Sequence, residues 1–388
     1  MPLDTIYLTR HGHRLNWTID YKTGTYHAQF PTPTGNPADP TLTSHGVRQS
    51  HELAAHFTSD NISPKPFRIY SSPFYRCLQT IQPTVEALKQ QQQANTTPGT
   101  NNEPPAIDTN ADLTVRTEPG LGEWFGPTTF FHHPTPAPAS VLSTHFPTIL
   151  PSNEQNSQTY NPILHPSTRG ETIAQLHDRV ATTLSALITS VDEEISAIEK
   201  SLPPAQRTSK AILICSHAAP LIAMGRALTG DMPGDSSVED FKVYTAGVST
   251  FVRRRVGEGV REDGEGEREG GELAPGTEVL LLDGGVKVPD WKGGKGVAGG
   301  WECVSNGDCG FLSGGAERGW YVLFCSFLLL YWFCLGLVWD GGWLLTVRWY
   351  RHFDGDESFD TGPMAGPSAT PTSSVESSVE TDLGESKL

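Results

Sequence analysis

The chain has few cysteines and a deficit of positive charge. Six cysteines in 388 residues are too few for a disulfide-stabilised scaffold, and the spacing of Cys303 and Cys309 fits no zinc-binding pattern. Lys and Arg number 28 against 44 Asp and Glu, a formal charge of −16, which repels nucleic-acid phosphates. MPLDTIYL also lacks the basic and apolar segments of a secretory signal. We therefore expect free thiols, a cytoplasmic or nuclear location, and no direct nucleic-acid binding.

Long tracts of the chain are poor in apolar residues. Pro, Thr, Ser, Asn and Gln dominate residues 90–109 and 127–166, and Gly and acidic residues dominate 257–300. Such tracts cannot pack a core, and for 127–166 a lid is the alternative to disorder. The predicted organisation is a core over 1–256 with disordered insertions at about 90–110 and 127–166, an acidic Gly-rich solvated insertion over 257–300, a return to the sheet edge over 301–320, an apolar segment over 321–351 and a disordered tail over 352–388.

The segment DTIYLTRHGHRLNW, residues 4–17, carries the first candidate chemistry. Residues 5–9 predict a buried strand that ends at Arg10 and His11. Arg10 and Arg14 can each present a planar fork of donors to an anion, and Gly12 permits close backbone approach. A histidine among cations stays neutral and keeps a lone pair that can attack phosphorus. Taken alone, a strand-end histidine that caps a turn is the alternative.

Two further predicted strands end at chemically similar residues. Residues 67–71 lead to Arg76 at the start of a helix, where a helix dipole also favours an anion. Residues 211–215 are a short apolar run followed by His217. Because parallel strands bind ligands at their carboxyl ends, we expect these side chains to share one rim with Arg10 and His11.

A carboxylate follows the predicted strand at 113–117. Glu123 lies in EPGLGEWFG, between glycines and two aromatic residues. Desolvation by those rings and the charge of a nearby phosphate would favour its protonated form, which suits a proton donor. A bond from its carboxylate to the amides of the glycine turn is the structural alternative.

Helices and loops complete the pattern. Apolar periodicity predicts helices over 46–57, with Ser44 as a cap, over 77–90, and over 170–191, with Ser167 and Thr168 as caps. Residues 20–39 have no periodicity and predict a surface loop that can fold over the site.

The order of these motifs resembles the histidine phosphatase superfamily, in the branch that contains phosphoglycerate mutases. RHG, SSPFYRCLQT, GLGEWFG, the GET helix and SHAAP follow one another over residues 5–252. The resemblance implies an α/β fold, a three-layer α/β/α sandwich with a mostly parallel central sheet. It also implies that His11 becomes the phosphohistidine, that Arg10, Arg76 and His217 bind phosphate, and that Glu123 is the acid–base residue. The expected catalytic residues are therefore His11, Glu123 and His217.

The chain departs from two subgroups of that superfamily. The mutase pattern has Glu-Ser after RHG, whereas His13 and Arg14 stand here. Asn16, which is one of the expected phosphate ligands, lies one place earlier than the mutase pattern requires. RHGHR resembles the RHGxR of the acid phosphatases, which makes Arg14 an added phosphate ligand. That branch has Asp where Ala218 stands, so the branch with Glu123 fits better.

IYLTRHGHRLNW and SPFYRCLQTIQP are also similar to fungal proteins related to the small tau subunit of TFIIIC, an RNA polymerase III assembly factor.

Residues 321–339 are nineteen residues without a charge, close to the roughly 20 that span a bilayer. Joining Trp320 to His352 gives ERGWHFDGDESFD, which resembles the uninterrupted segment of those proteins. We therefore interpret 321–351 as translated intron, with a membrane anchor as the alternative.

The resulting prediction is a phosphomonoester hydrolase that acts through a phosphohistidine on an unknown phosphorylated substrate, without a metal or other cofactor. The alternative is an inactive or weakly active phosphatase-fold scaffold with a protein partner in a transcription assembly.

Overall fold

The fold is built on ten strands and five α-helices within the part of the chain that the structure describes. This computed structural model describes residues 2–95, 107–150, 160–255, 271–280 and 287–317. The strands are β1 (Thr5–Arg10), β2 (Trp17–Asp20), β3 (Thr25–Ala28), β4 (Pro66–Ser71), β5 (Val115–Thr117), β6 (Leu164–His165), β7 (Ala211–Ser216), β8 (Val248–Arg253), β9 (Glu278–Val279) and β10 (Trp301–Asp308). The helices are α1 (Ser44–Thr58), α2 (Tyr75–Asn95), α3 (Ala139–His145), α4 (Ile173–Glu199) and α5 (Ala218–Thr229).

Six strands form the central sheet, in the order β10-β8-β1-β7-β4-β5. β1, β7, β4 and β5 are parallel neighbours, while β8 is antiparallel to β1 and β10 is antiparallel to β8. Parallel pairing places the carboxyl ends of four strands at one edge of the sheet. The predicted mostly parallel α/β fold is confirmed.

Both faces of the sheet are covered by helices. In β1, Ile6 and Leu8 join a core cluster with α4 and α5, whereas Tyr7 joins a second cluster with residues of α1 and α2. All six residues of β1 are buried, which explains why its sequence has an apolar or β-branched residue at nearly every position. Each fully buried Leu or Ile contributes about 1.5–3 kcal/mol to folding. The arrangement is the predicted three-layer sandwich.

The helices begin at residues other than those predicted as caps. α1 starts after Thr43, whose hydroxyl accepts a bond from the Gly46 amide, so Ser44 is the first helical residue. α4 starts after Thr172, which forms a capping box with Gln175. The prediction of Ser167 and Thr168 as caps was wrong, because a capping hydroxyl must reach an amide within the first turn.

Parts of the segments predicted to be disordered are ordered. α2 continues to Asn95, and α3 lies within 127–166, where Leu142 and Phe146 pack into the cluster of α1 and α2. Trp291 and Val297 pack into the other cluster, although 257–300 was predicted to be a solvated insertion. In α3 and around Trp291, large apolar residues that are scattered in the sequence pack on the core. Their Pro-rich or Gly-rich neighbours lower the average apolar content of these segments, so composition alone does not predict this packing.

β10 pairs with β8 at the edge of the sheet, within the segment 301–320 that was expected to return there. The four described cysteines are free thiols. Among the described residues, none of the helices is apolar over a length that would cross a bilayer. The apolar segment 321–351 and the tail 352–388 lie outside the described residues.

Candidate active site

The ends of four parallel strands carry the candidate site. β1 leads into His11, β4 leads through Ser72 to Arg76 in the first turn of α2, β5 leads to the turn with Glu123, and β7 leads into His217. His11, Arg76, Glu123 and His217 are all at most 4% exposed. One ring nitrogen of each histidine and one carboxylate oxygen of Glu123 lie within 4.8 Å of one another. The structure therefore brings together His11, Arg76 and His217, which the sequence placed on one rim, and adds Glu123 to them.

The backbone around His11 determines which ring nitrogen carries a proton. Its Nδ1 lies 2.9 Å from the carbonyl oxygen of Gly12, which can only accept a hydrogen bond. Nδ1 is therefore the protonated nitrogen of the neutral ring, and the lone pair is on Nε2. The His11 ring also meets the His217 ring edge to face, with 5.3 Å between centroids.

Gly12 is needed for close backbone packing. A Cβ atom at this position would lie 2.9 Å from the carbonyl oxygen of Gly46, in α1. The amide of Gly12 donates to the hydroxyl of Thr80, 2.9 Å away in α2. The absence of a side chain at Gly12 thus permits close packing against α1, which fixes the backbone that bonds to His11. The close approach of this backbone to an anion stays a prediction.

Arg76 lies between two buried carboxylates. Its NH2 group donates to Oε2 of Glu123 at 2.9 Å and lies 3.1 Å from Nδ1 of His217. Its NH1 group donates to the carbonyl of Ala38 at 3.0 Å and approaches Oδ1 of Asp39 at 3.4 Å. The guanidinium also stacks over the Phe74 ring, 4.7 Å from the centroid. Arg76 therefore contacts Glu123, His217 and Asp39 through a single guanidinium group.

His217 is bonded through both of its ring nitrogens. Nε2 lies 2.8 Å from the Ser72 hydroxyl, and Nδ1 lies 3.2 Å from Oε2 of Glu123. Burial disfavours the charged ring, but the Cys77 sulfur and the Glu123 carboxylate favour it, and on balance the pKa of His217 is raised. A charged imidazole in this position favours an anion next to it.

Arg10 and Arg14 lie beside His11 in the chain and are buried, at 1% and 4% exposure. Arg10 donates to the carbonyl of Val243 at 3.1 Å, and Arg14 donates to the carbonyl of Leu15 at 2.7 Å and lies over the Trp17 ring. With Arg76 they place three guanidinium groups in this part of the protein. Asn16, the remaining predicted phosphate ligand, is exposed, and its carbonyl accepts a bond from the Gln29 amide. Its predicted role stays a prediction.

A buried ion pair positions the turn that carries Glu123. Glu171 accepts bonds from Arg179 at 2.6 and 2.9 Å, and Arg179 donates to the carbonyls of Gly120 and Gly122 at 2.8 and 3.1 Å. The amide of the following residue, Trp124, donates to Oε1 of Glu123 at 2.9 Å. The structural alternative considered for Glu123 is thus observed, since one carboxylate oxygen bonds to a turn amide and the other to Arg76. Its role as an acid–base residue stays a prediction.

The segment predicted as a surface loop, 20–39, contains β3 and contributes Tyr26 to a cluster of aromatic side chains beside the site. β2 and β3 form a hairpin in which Tyr26 packs against Trp17 at 5.3 Å and donates its hydroxyl hydrogen to Nδ1 of His133. His133 stacks on Phe125, two residues after Glu123, with 4.8 Å between centroids. Burial lowers the pKa of His133 to about 4, so the ring is neutral near pH 7. The hairpin and residues 125–133 are thus packed together next to the site.

Sequence reasoning missed three side chains of this region: Asp39, Ser72 and Arg179. Ser72 has the clearest signal, because it directly follows a strand that ends at the site edge. Asp39 and Arg179 are recognisable only through partners that are 37 and 8 residues away in the chain.

The chemistry of the site favours an anion over a metal ion. His11, Glu123 and His217 have the donor types that a cation uses. However, the Arg76 guanidinium lies 2.9 Å from the Glu123 oxygen and 3.1 Å from the His217 nitrogen, so a divalent cation between them would meet a fixed positive charge. The arrangement of these described residues therefore favours an anion over a divalent cation.

Residues 6–99 match the family model of the histidine phosphatase superfamily, branch 1. The predicted family resemblance is confirmed. Arg10, His11 and Arg76 lie within the matched residues, whereas Glu123 and His217 lie beyond them. The family match thus covers the first half of the candidate site, and the fold places Glu123 and His217 against it.

One named relative and two solved structures are similar to the chain. The transcription factor tau 55 kDa subunit of Saccharomyces cerevisiae is 31% identical over 231 residues, which are 59% of this chain and 42% of the relative, so the match spans less than half of the relative's length. It confirms the resemblance to tau subunits. The ecdysone phosphate phosphatase from Bombix mori is 16% identical with a TM-score of 0.42, over 68% of this chain and 97% of that one. A mycobacterial glucosyl-3-phosphoglycerate phosphatase is 15% identical with a TM-score of 0.32, over 64% and 90%.

Proposed function

We propose that this protein hydrolyses phosphomonoesters through a phosphohistidine at His11. The observation that carries the proposal is the bond from Nδ1 of His11 to the Gly12 carbonyl, since it leaves the lone pair on Nε2. That lone pair belongs to a buried ring next to His217, and His217 in turn lies 3.1 Å from the guanidinium of Arg76. A neutral nucleophile in a site that holds a fixed cation suits attack on a phosphate dianion.

In the first step, Nε2 of His11 forms a bond to phosphorus, and the bond from phosphorus to the leaving oxygen breaks. Glu123 gives its proton to that oxygen. In the second step a water molecule attacks the phosphohistidine, Glu123 takes the proton of the water, and inorganic phosphate leaves as the bond to Nε2 breaks. Each charge-assisted hydrogen bond to the phosphate oxygens would contribute about 1.5–3 kcal/mol.

The ion pair between Arg76 and Glu123 fits this sequence of steps. Without substrate, Oε2 of Glu123 accepts a bond from Arg76 at 2.9 Å. A phosphate dianion that binds Arg76 competes with the carboxylate for the same NH2 group, and its charge favours protonation of Glu123. Substrate binding therefore prepares the proton donor. Because His11 must be neutral and Glu123 protonated, we expect optimal turnover from mildly acidic to neutral pH, and a rate that still rises above about pH 9 contradicts this pairing.

The role of Glu123 is tested by the variant Glu123→Gln, which keeps the shape of the side chain and removes the acid. With an alkyl phosphate, whose leaving group needs a proton, kcat is expected to fall by about 10²–10⁴-fold. With p-nitrophenyl phosphate, whose leaving group departs as an anion, we expect a loss of less than about 10-fold in the first step. The control is Glu193→Gln, an exposed carboxylate on α4. Equal losses with both substrates in the rate of the first step, measured by rapid mixing, would contradict a role as proton donor.

A second function is supported by the similarity to the tau 55 kDa subunit. On this reading the chain is a phosphatase-fold scaffold with a protein partner in a nuclear transcription factor assembly, with weak catalysis or none. Affinity capture of the full chain from a nuclear extract of its source organism, followed by mass spectrometry, tests it. Recovery of several subunits of one transcription factor supports the scaffold, and their absence from a capture that retains a folded bait contradicts it. Turnover by the same chain would show that both functions coexist.

A further inference from the structure

Asp39 lies directly behind Arg76, on the side away from His217. Its side chain is completely buried, and Oδ2 accepts a hydrogen bond from the Tyr75 amide, 2.9 Å away at the start of α2. Oδ1 lies 3.4 Å from NH1 of Arg76, and the preceding carbonyl, of Ala38, accepts a bond from the same NH1 at 3.0 Å. Ala38 and Asp39, two consecutive residues at the end of the 20–39 segment, thus hold one half of the guanidinium.

The other half of that guanidinium faces the site. NH2 of Arg76 bonds to Glu123 and lies next to His217. Because a guanidinium is planar, holding NH1 at Ala38 and Asp39 fixes the direction in which NH2 points. Asp39 also bonds to the first amide of the helix that carries Arg76, so it positions both the backbone and the side-chain tip of this residue.

We propose that Asp39 is a positioning residue that orients Arg76 toward the bound phosphate and, through its own charge, sets how strongly Arg76 attracts an anion. The inference rests on the proposed function, since it assigns Arg76 to phosphate binding at the same site. An ionised Asp39 neutralises part of the Arg76 charge and weakens the attraction for a dianion. A protonated Asp39 leaves that charge uncompensated on its side.

The surroundings of Asp39 allow its charge to change at moderate pH. Burial raises the pKa of Asp39 to about 6, although Arg76 and the amides of Tyr75 and Arg76 oppose the shift. The other titratable groups that face it are the phenol of Tyr75, whose pKa is raised by burial and by the Asp39 charge, and Glu123 and His217 beyond Arg76. Anion binding should therefore strengthen as the pH falls through about 6.

The test measures the affinity of sulfate, whose charge is constant between pH 5 and 8, for the full chain by calorimetry. In the wild type, we expect affinity to rise as pH falls, with a component centred near pH 6. In Asp39→Asn, residue 39 is neutral throughout this pH range, so that component is lost. At pH 7.5 sulfate is expected to bind about 3–10-fold more tightly to this variant than to the wild type. Its kcat is expected to fall by about 10-fold, because the guanidinium is less well oriented. The two proteins differ only at residue 39, so the difference between their profiles reports the removal of the Asp39 charge.

Asp60→Asn, at an exposed carboxylate just after α1, is the matched control and should retain the wild-type profile. Asp39→Ser, which can also accept the Tyr75 amide bond without a charge, replaces Asp39→Asn if the latter does not fold, and the same changes are expected. Superimposable profiles for the wild type and either Asp39 variant, with only a lower melting temperature, would overturn the inference, as would a wild-type affinity that is flat from pH 5 to 7.

Failure of the proposed function is a separate outcome, because sulfate binding requires no turnover. A chain that hydrolyses no phosphomonoester but loses its pH-dependent sulfate affinity in Asp39→Asn would keep this inference and reject the hydrolase. A chain that turns over substrate with an unchanged sulfate profile in Asp39→Asn would do the reverse.

Discussion

Replacing His11 by alanine is expected to lower turnover of a phosphomonoester by at least about 10³-fold. The imidazole is the only protein group in the proposed reaction that forms a covalent bond to phosphorus, so the phosphohistidine cannot form without it. The ring is buried, and its Nδ1 bonds to the Gly12 carbonyl, so alanine removes a positioned nucleophile and one hydrogen bond. Steady-state rates of the purified full chain, with the melting temperature measured in parallel, give the result.

His51→Ala is the control for this loss. His51 is an exposed residue of α1, so its removal should leave both turnover and stability unchanged. A His11→Ala protein that remains folded and retains more than a tenth of the wild-type rate would mean that His11 is not the nucleophile, and that the family match identifies the fold without its chemistry.

Replacing Arg76 by alanine is expected to have the largest effect on stability. Arg76 is completely buried and bonds to Glu123, with Asp39 on its other side. Its removal leaves two carboxylates in the interior without their shared cation, which costs about 3–5 kcal/mol in the free energy of unfolding at neutral pH. The same change removes a donor to the phosphate, and we expect kcat/KM to fall by about 10²–10³-fold.

The pH dependence of the Arg76→Ala variant distinguishes this explanation from simple loss of packing. The pKa of Asp39 is already raised to about 6, and without Arg76 this buried carboxyl is protonated more readily. A carboxyl whose folded pKa is raised contributes most to stability below its unfolded pKa, and this contribution is lost as the pH rises through the folded pKa. The deficit of the variant should therefore shrink from pH 7 to pH 5, in urea unfolding. A deficit independent of pH would indicate packing alone.

Two further variants complete this comparison. Arg76→Lys keeps the charge but cannot bond to Ala38, Asp39 and Glu123 at the same time, so we expect most of the stability to return but little of the activity. Arg48→Ala, on the exposed face of α1, is the matched control for loss of an arginine and should change neither quantity.

The strands and the strand-end residues could be predicted from the sequence because each is a local signal. β1 and β7 are short apolar or β-branched runs followed at once by a polar residue, and their observed bounds differ from the predicted ones by a single residue. Parallel pairing then implies that His11 and His217 share an edge. Arg76 followed from the same rule, as it lies near the end of β4.

Other parts of the site depend on contacts that are distant in sequence. Asp39 lies in a Pro-rich segment without periodicity, and its importance arises only because Arg76, 37 residues away, packs on it. Similarly, Phe146 and Trp291 are isolated apolar residues in polar tracts, and only the fold shows that they pack into the core. Composition averaged over these tracts predicted loops and disorder, because it cannot distinguish a large side chain that packs from one that does not.

The proposed transfer of a phosphoryl group to His11 is tested most directly by trapping the intermediate. The full chain is mixed with a phosphomonoester that carries a labelled phosphate, quenched within one turnover in alkaline denaturant, and analysed by mass spectrometry of its peptides. We predict one phosphoryl group on His11, lost on acidification and absent from His11→Ala. Turnover of substrate with no label on His11, or with label on another residue, would contradict the phosphohistidine mechanism.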